Sequence, residues 1–181
     1  MFMRFQHIEP HPLLRGYIEK LWVFESSGKM PANDLKLVVP NGNIKLTVAF
    51  RNGIVAAMDG KIFTSKEQNI SLTGIVDVPV ILDVQENTVT GTLCAEFSPQ
   101  GAYRFFHVPL NTVKNQILSF QDILGPVAGQ LEEQISNAET LDEKAALLQQ
   151  FLLKRFLKGE EDSIFEYCVA GIASSKGKIT I

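Results

Sequence analysis

The side chains able to do chemistry are few in this sequence, and their spacing brings none of them together. His7, His11 and His107 are the three histidines, and no His-x-His or His-Glu-x-x-His pattern joins them. His7 and His11 stand four apart, but Pro10 and Pro12 rule out the helix that would align them on one metal ion. Cys94 and Cys168 lie far apart, each among apolar neighbours, which is neither a disulfide framework nor a metal spacing. Cys94 reads as a packed thiol on a strand. No Gly-x-Ser-x-Gly elbow occurs, and Gly28, Gly42, Gly53 and Gly60 stand singly rather than in a phosphate-cradling loop. The acid pair Glu132-Glu133 is expected on a solvated helix face. These patterns predict a non-enzymatic protein with no metal and no cofactor.

Binding chemistry has more to work with. Trp22 is the single tryptophan and falls in an apolar strand, where it serves as core or as pocket wall. From Asn43 to Phe50 the chain alternates, with Ile44, Leu46, Val48 and Phe50 on one face and Asn43, Lys45 and Thr47 on the other. If the sheet curls, the second face lines a cavity; if it stays open, that face is wet. Trp22, Asn43, Lys45 and Thr47 are therefore the candidate ligand-binding residues. A second candidate surface is helical. Leu148, Phe151, Leu152 and Phe156 make a wide apolar stripe, more than a small sheet covers, to be buried either against a second copy in a homodimer or under neighbouring helices of the same chain.

The elements that must carry these residues follow from local pattern. Strand signals run through Tyr17–Phe24, Asn43–Phe50, Ile54–Met58, Ile62–Phe63, Ser71–Ile75, Val80–Val84 and Val89–Phe97. Asn52-Gly53, Asp59-Gly60 and Glu86-Asn87 predict tight turns that fold them into an antiparallel meander. At Ser98-Pro99 the pattern turns helical, since Ser caps a helix and Pro suits its first position. Helices are then expected after Gly125-Pro126, after the capping box Thr140-Leu141-Asp142-Glu143 with Gly159 as its stop, and from Asp162 or Ser163 to about Gly177. The division is a mainly antiparallel β domain over 1–98 and a helical segment over 99–181 packing on it, an α+β fold.

The chain has 181 residues, 45% hydrophobic and 20% charged, with 12 Phe, so it packs a core and is not a disordered chain. Its net charge of −3 and its one basic cluster, Lys154, Arg155 and Lys158, make a poor nucleic-acid binder. No apolar run reaches the length of a membrane span and the first residues do not read as a signal peptide, so a cytoplasmic protein is expected.

Several local patterns combine. Pro12-Leu13, Tyr17 and Trp22 come first, then Val39-Pro40-Asn41-Gly42 ahead of the Ile44-Leu46-Val48 strand. The segment Gly91–Pro109, GTLCAEFSPQGAYRFFHVP, follows, and later Leu124-Gly125 and the loaded helix. Together they resemble the N-terminal regulatory domain of AraC/XylS-type bacterial transcription regulators. Val169–Ile181 resembles the approach to that family's first DNA-binding helix. The resemblance implies a cupin-like β-barrel that senses a small-molecule effector, helices that dimerise, and promoter DNA bound only through a separate C-terminal helix-turn-helix module. The chain stops at Lys178-Ile179-Thr180-Ile181, where that module is expected to begin. Lys45 departs from the acidic residue relatives tend to carry there, which implies a different ligand. The alternative reading is a stand-alone β-barrel binding protein or enzyme.

Overall fold

The computed structural model describes residues 2–27, 36–38, 40–84, 88–159, 163–175 and 178. Among the described residues, ten strands come before or between five α-helices. They are β1 (Phe2–Ile8), β2 (Ile18–Ser27), β3 (Lys36–Val38), β4 (Ile44–Ala49), β5 (Ile54–Met58), β6 (Lys61–Thr64), β7 (Ile70–Thr73), β8 (Val80–Val84), β9 (Val89–Phe97) and β10 (Ile117–Ser119). The helices are α1 (Pro99–Phe106), α2 (Phe120–Leu124), α3 (Pro126–Asn137), α4 (Leu141–Lys158) and α5 (Ser163–Ser174). The α+β class holds: antiparallel sheets first, helices after. The expected turn at Glu86-Asn87, the Asp162 cap, Gly28, Val39, and the end at Gly177 and Ile179–Ile181 lie outside the described residues.

The strands divide into two antiparallel sheets. The larger runs β1-β2-β9-β4-β7-β10 and the smaller β3-β8-β5-β6. No closed hydrogen-bonded barrel forms among the described residues, so the β-barrel that the resemblance implies is corrected to two separate antiparallel sheets. The reason is visible at the two Gly turns. Asp59-Gly60 makes the expected hairpin, both residues at positive φ (49° and 71°) and Met58 paired with Lys61. Asn52-Gly53 does not. Neither residue is at positive φ, and β4 and β5 belong to different sheets. The backbone N–H groups of Phe50 and Arg51 both donate to the Gly91 carbonyl, and Asn52 forms an isolated bridge to Thr90. A Cβ on Gly53 would lie 2.4 Å from Ser65, so glycine is there for close approach rather than for a turn. This segment is a corner between the sheets.

The main core lies between the larger sheet and the helices. Ile44, Leu46 and Val48 of β4 and Leu93, Ala95 and Phe97 of β9 meet Phe105, Phe106, Phe120, Leu131, Leu148 and Leu152 in one cluster. Phe97 meets Phe105 and Phe106 at ring distances of 5.4 and 5.2 Å, and Phe106 meets Phe120 at 5.6 Å. The helix starts obey the sequence. Ser98 Oγ accepts from Gly101 N at 3.1 Å, and the Thr140/Glu143 capping box is complete. Gly159 closes α4, its N–H donating to the Arg155 carbonyl. Among the described residues no helix is long and apolar enough to cross a membrane.

Two expectations change here. Glu132 is not solvated but 8% exposed, accepting the Ile70 backbone N–H at 2.8 Å and the Gln121 side-chain amide. It ties α3 to β7, whereas Glu133 is exposed as expected. The helical stripe is also largely used up within the chain. Leu148 and Leu152 are completely buried, which removes them from any surface for a second copy, and only Phe151 and Phe156 stay partly exposed. Helix α3 and the sheet cover what one sheet contact would not.

Candidate functional site: a cavity between the sheets

The strands of the larger sheet that build the main core carry a different set of side chains on their other face. Alternation puts Lys45 and Thr47 of β4 opposite Ile44, Leu46 and Val48, and Cys94 and Glu96 of β9 opposite Leu93, Ala95 and Phe97. In register, Lys45 lies between Glu96 and Thr73, and Thr47 between Cys94 and Ser71. The smaller sheet covers this polar floor with Ile54, Ala56, Val80 and Leu82.

The space between is a cavity with two lobes. The smaller, about 140 Å³, lies over Lys45, Thr47, Ser71, Thr73 and Cys94. The larger, about 310 Å³, opens toward β1 and is walled by Phe5, His7, Trp22 and Phe24, with Lys20 and Asp83. Trp22, Glu96, Ile54 and Leu82 line both lobes and so mark their division. The Trp22 indole N–H donates to Glu96 Oε1 at 2.8 Å, and Asn41 Nδ2 donates to Glu96 Oε2 at 3.5 Å. Asn41 also accepts from Lys45 Nζ at 3.4 Å, bridging the lysine and the carboxylate. On the larger lobe's wall, the Phe5 and Trp22 rings lie 5.3 Å apart and 30° from parallel.

Of the four candidate residues, Trp22, Lys45 and Thr47 converge on this cavity. Asn43 does not. It is buried, with Nδ2 donating to Glu19 Oε2 at 2.7 Å and its backbone N–H to Asn41 Oδ1 at 3.1 Å, and it anchors the approach to β4. Sequence reasoning missed Glu96, Phe5, His7, Ser71, Thr73 and Asp83. Glu96 had a signal, since it shares the 92-94-96 face of a strand whose other face is uniformly apolar.

Cys94 is a structural thiol. Burial above all, and the nearby Glu96 charge, push its pKa up to about 12, so thiolate is scarce at neutral pH. Thr47 Oγ1 donates to its sulfur at 3.8 Å. Among the described residues no three His, Cys, Asp or Glu side chains come together in a metal-holding group. His11 is occupied locally, its Nδ1 accepting from Leu13 N at 3.3 Å. The arrangement offers a bound molecule an apolar roof, an aromatic wall and a hydroxyl-rich floor with one carboxylate and one lysine.

The family described as a domain of unknown function, DUF6597, matches residues 6–119. No curated protein matches the sequence. Several solved structures are similar to the chain, among them the following three. The Cupin_2 domain of an XRE family transcriptional regulator from Enterobacter cloacae is 13% identical, covers 55% of this chain and 99% of its own, and has a TM-score of 0.44. Protein Ylba from E. coli is 10% identical over 65% of this chain and 43% of that one, with a TM-score of 0.45. The AraC-like transcriptional activator CuxR is 12% identical over 98% of this chain and 72% of that one, with a TM-score of 0.38.

Proposed function

The chain belongs to the DUF6597 family, and from that premise we propose that it is the regulatory, effector-sensing domain of a transcription regulator of the AraC type rather than an enzyme. One observation carries the reading. The strands that floor the cavity with Lys45, Thr47, Cys94 and Glu96 are the strands whose reverse face forms the core with α1 and α4. A molecule that shifts β4 or β9 by a fraction of an ångström presses on Leu46, Leu93 and Phe97, and through them on the helices, because packed cores do not deform continuously. That is how a sensor works. A catalytic reading has less support, since the buried Cys94 thiol is held protonated.

On this reading the effector is a small molecule held between the sheets, and promoter DNA is reached through a helix-turn-helix module elsewhere in the full-length cytoplasmic protein. Pairing of two copies falls to the outer surface of α3 and α4. The groove between those helices carries Lys154, Arg155 and Lys158 toward one end, while Glu139 and Glu143 stand toward the other. Opposite charges at the two ends make an antiparallel pair self-complementary.

Amide hydrogen exchange tests the sensor reading. A cavity ligand is expected to slow exchange in β4 and β9 and also in α1 and α4. Slowing confined to the cavity strands would overturn transmission. Turnover of the ligand would favour the enzyme alternative.

A further inference from the structure

The larger lobe carries a more specific message about its ligand. Glu96 is 8% exposed, and its carboxylate reaches the wall of the cavity at the point the two lobes share. Its hydrogen bonds come from two neutral donors, Trp22 Nε1 and Asn41 Nδ2. Lys20 of β2 and Lys45 of β4 are its register neighbours, yet neither makes an ion pair with it among the described residues. Lys20 is exposed, and the Lys45 ammonium is directed to Asn41 Oδ1. A buried carboxylate without a cation is costly, and such groups are normally paired.

The surroundings say what would pair with it. Phe5, Trp22 and Phe24 put three aromatic rings on one wall of the lobe. Aromatic faces attract organic cations, and most strongly where water is displaced. Asp83, on the opposite sheet, adds a second carboxylate to the same lobe. We propose that the larger lobe takes an organic ammonium ion, with its cationic nitrogen at Glu96 and its apolar body against Phe5, Trp22 and Phe24. The volume of about 310 Å³ suits a compact amine with one ring rather than a polyamine or a nucleotide. Lys20 at the exposed edge disfavours a second positive charge on the ligand. This inference rests on the effector-binding reading and names the ligand class for it.

The test uses three probes of the same shape and different charge: 2-phenylethylamine, 2-phenylethanol and 3-phenylpropanoate. Trp22 is the only tryptophan and lines both lobes, so its fluorescence reports on binding in this cavity. The amine is expected to bind at least tenfold more tightly than the alcohol, and the carboxylate more weakly than either. In Glu96→Gln the amine's advantage over the alcohol disappears. Asp83→Asn, at a partly exposed wall position, reduces the advantage in part and serves if the Glu96 variant does not fold. Equal binding of all three probes, or preference for the carboxylate, overturns the ammonium inference and leaves a ligand-binding cavity standing. No binding by any probe overturns it as well. The effector reading itself falls only if a chemically mixed fragment set also leaves Trp22 emission unmoved.

Discussion

The two faces of the larger sheet are made by the same strands and serve opposite purposes. On the helix side, Leu46, Leu93 and Phe97 have no exposed surface, and the neighbouring positions are aliphatic or aromatic. On the cavity side, Lys45, Thr47, Ser71, Thr73 and Glu96 alternate with them. That side also holds the hydroxyls of Ser26, Thr90 and Thr92, which are buried with no hydrogen-bond partner among the described residues. The contrast places stability on one surface of the sheet and recognition on the other, one residue apart along each strand.

Substitutions on the two faces should therefore behave differently, and the largest effect belongs to the core. Phe105→Ala removes a fully buried ring that touches Tyr17 and Phe97, and should cost about 3–5 kcal/mol in urea unfolding. A loss under ~1 kcal/mol would mean that the helices are not part of the same core. Glu132→Ala leaves the Ile70 N–H and the Gln121 amide without their acceptor, and should cost about 1–3 kcal/mol. An unchanged midpoint would restore the solvated reading of that acid.

Smaller effects sharpen the same division. Thr140→Ala removes the hydroxyl cap of α4 and should cost about 1 kcal/mol. Its partner Glu143 is held below the usual carboxylate range, chiefly by the backbone N–H groups of Thr140 and Glu139. A lowered pKa in the folded state means stability that is present above the ordinary carboxylate value and lost as pH falls through the lowered one. The stability gap between the wild type and Glu143→Ala should accordingly be full at pH 7 and narrow in acid; a gap that grows in acid would reverse the sign. Smallest of all is Thr92→Val. Exchanging an unpartnered buried hydroxyl for a methyl group should leave stability unchanged or slightly raised in thermal melts. A clear loss would show that the hydroxyl has a partner on the cavity side.

Much of this was legible in the residues because it is local. The β5, β8 and β9 ranges, the Ser98 cap and the Thr140 capping box depend on neighbours within a few positions. What was missed depends on distant pairing. Asn52-Gly53 has the composition of a hairpin, but the contact with Gly91 decides its path. β1 was not read because Phe2–Ile8 lacks clean alternation, and as an outer strand it is mostly exposed. β10 and α2 are short and follow no periodic signal. Alternation showed that Lys45 and Thr47 share a face. It did not show that a second sheet covers that face, because β5 and β8 reach it from elsewhere in the chain. Glu132 has the same lesson, being buried by a strand sixty-two residues away.

The division of labour between the faces is tested most directly by filling the smaller lobe. Thr47→Phe puts a ring into a space of about 140 Å³ without touching the helix side of β4. Binding of a fragment set, followed by NMR, should give hits in the smaller lobe of the wild type that vanish in Thr47→Phe, while the urea midpoint corresponds to a change under ~1 kcal/mol. Smaller-lobe hits that survive in the filled variant, or a variant that binds nothing because it has lost its fold, would contradict the claim that this face recognises and the other stabilises.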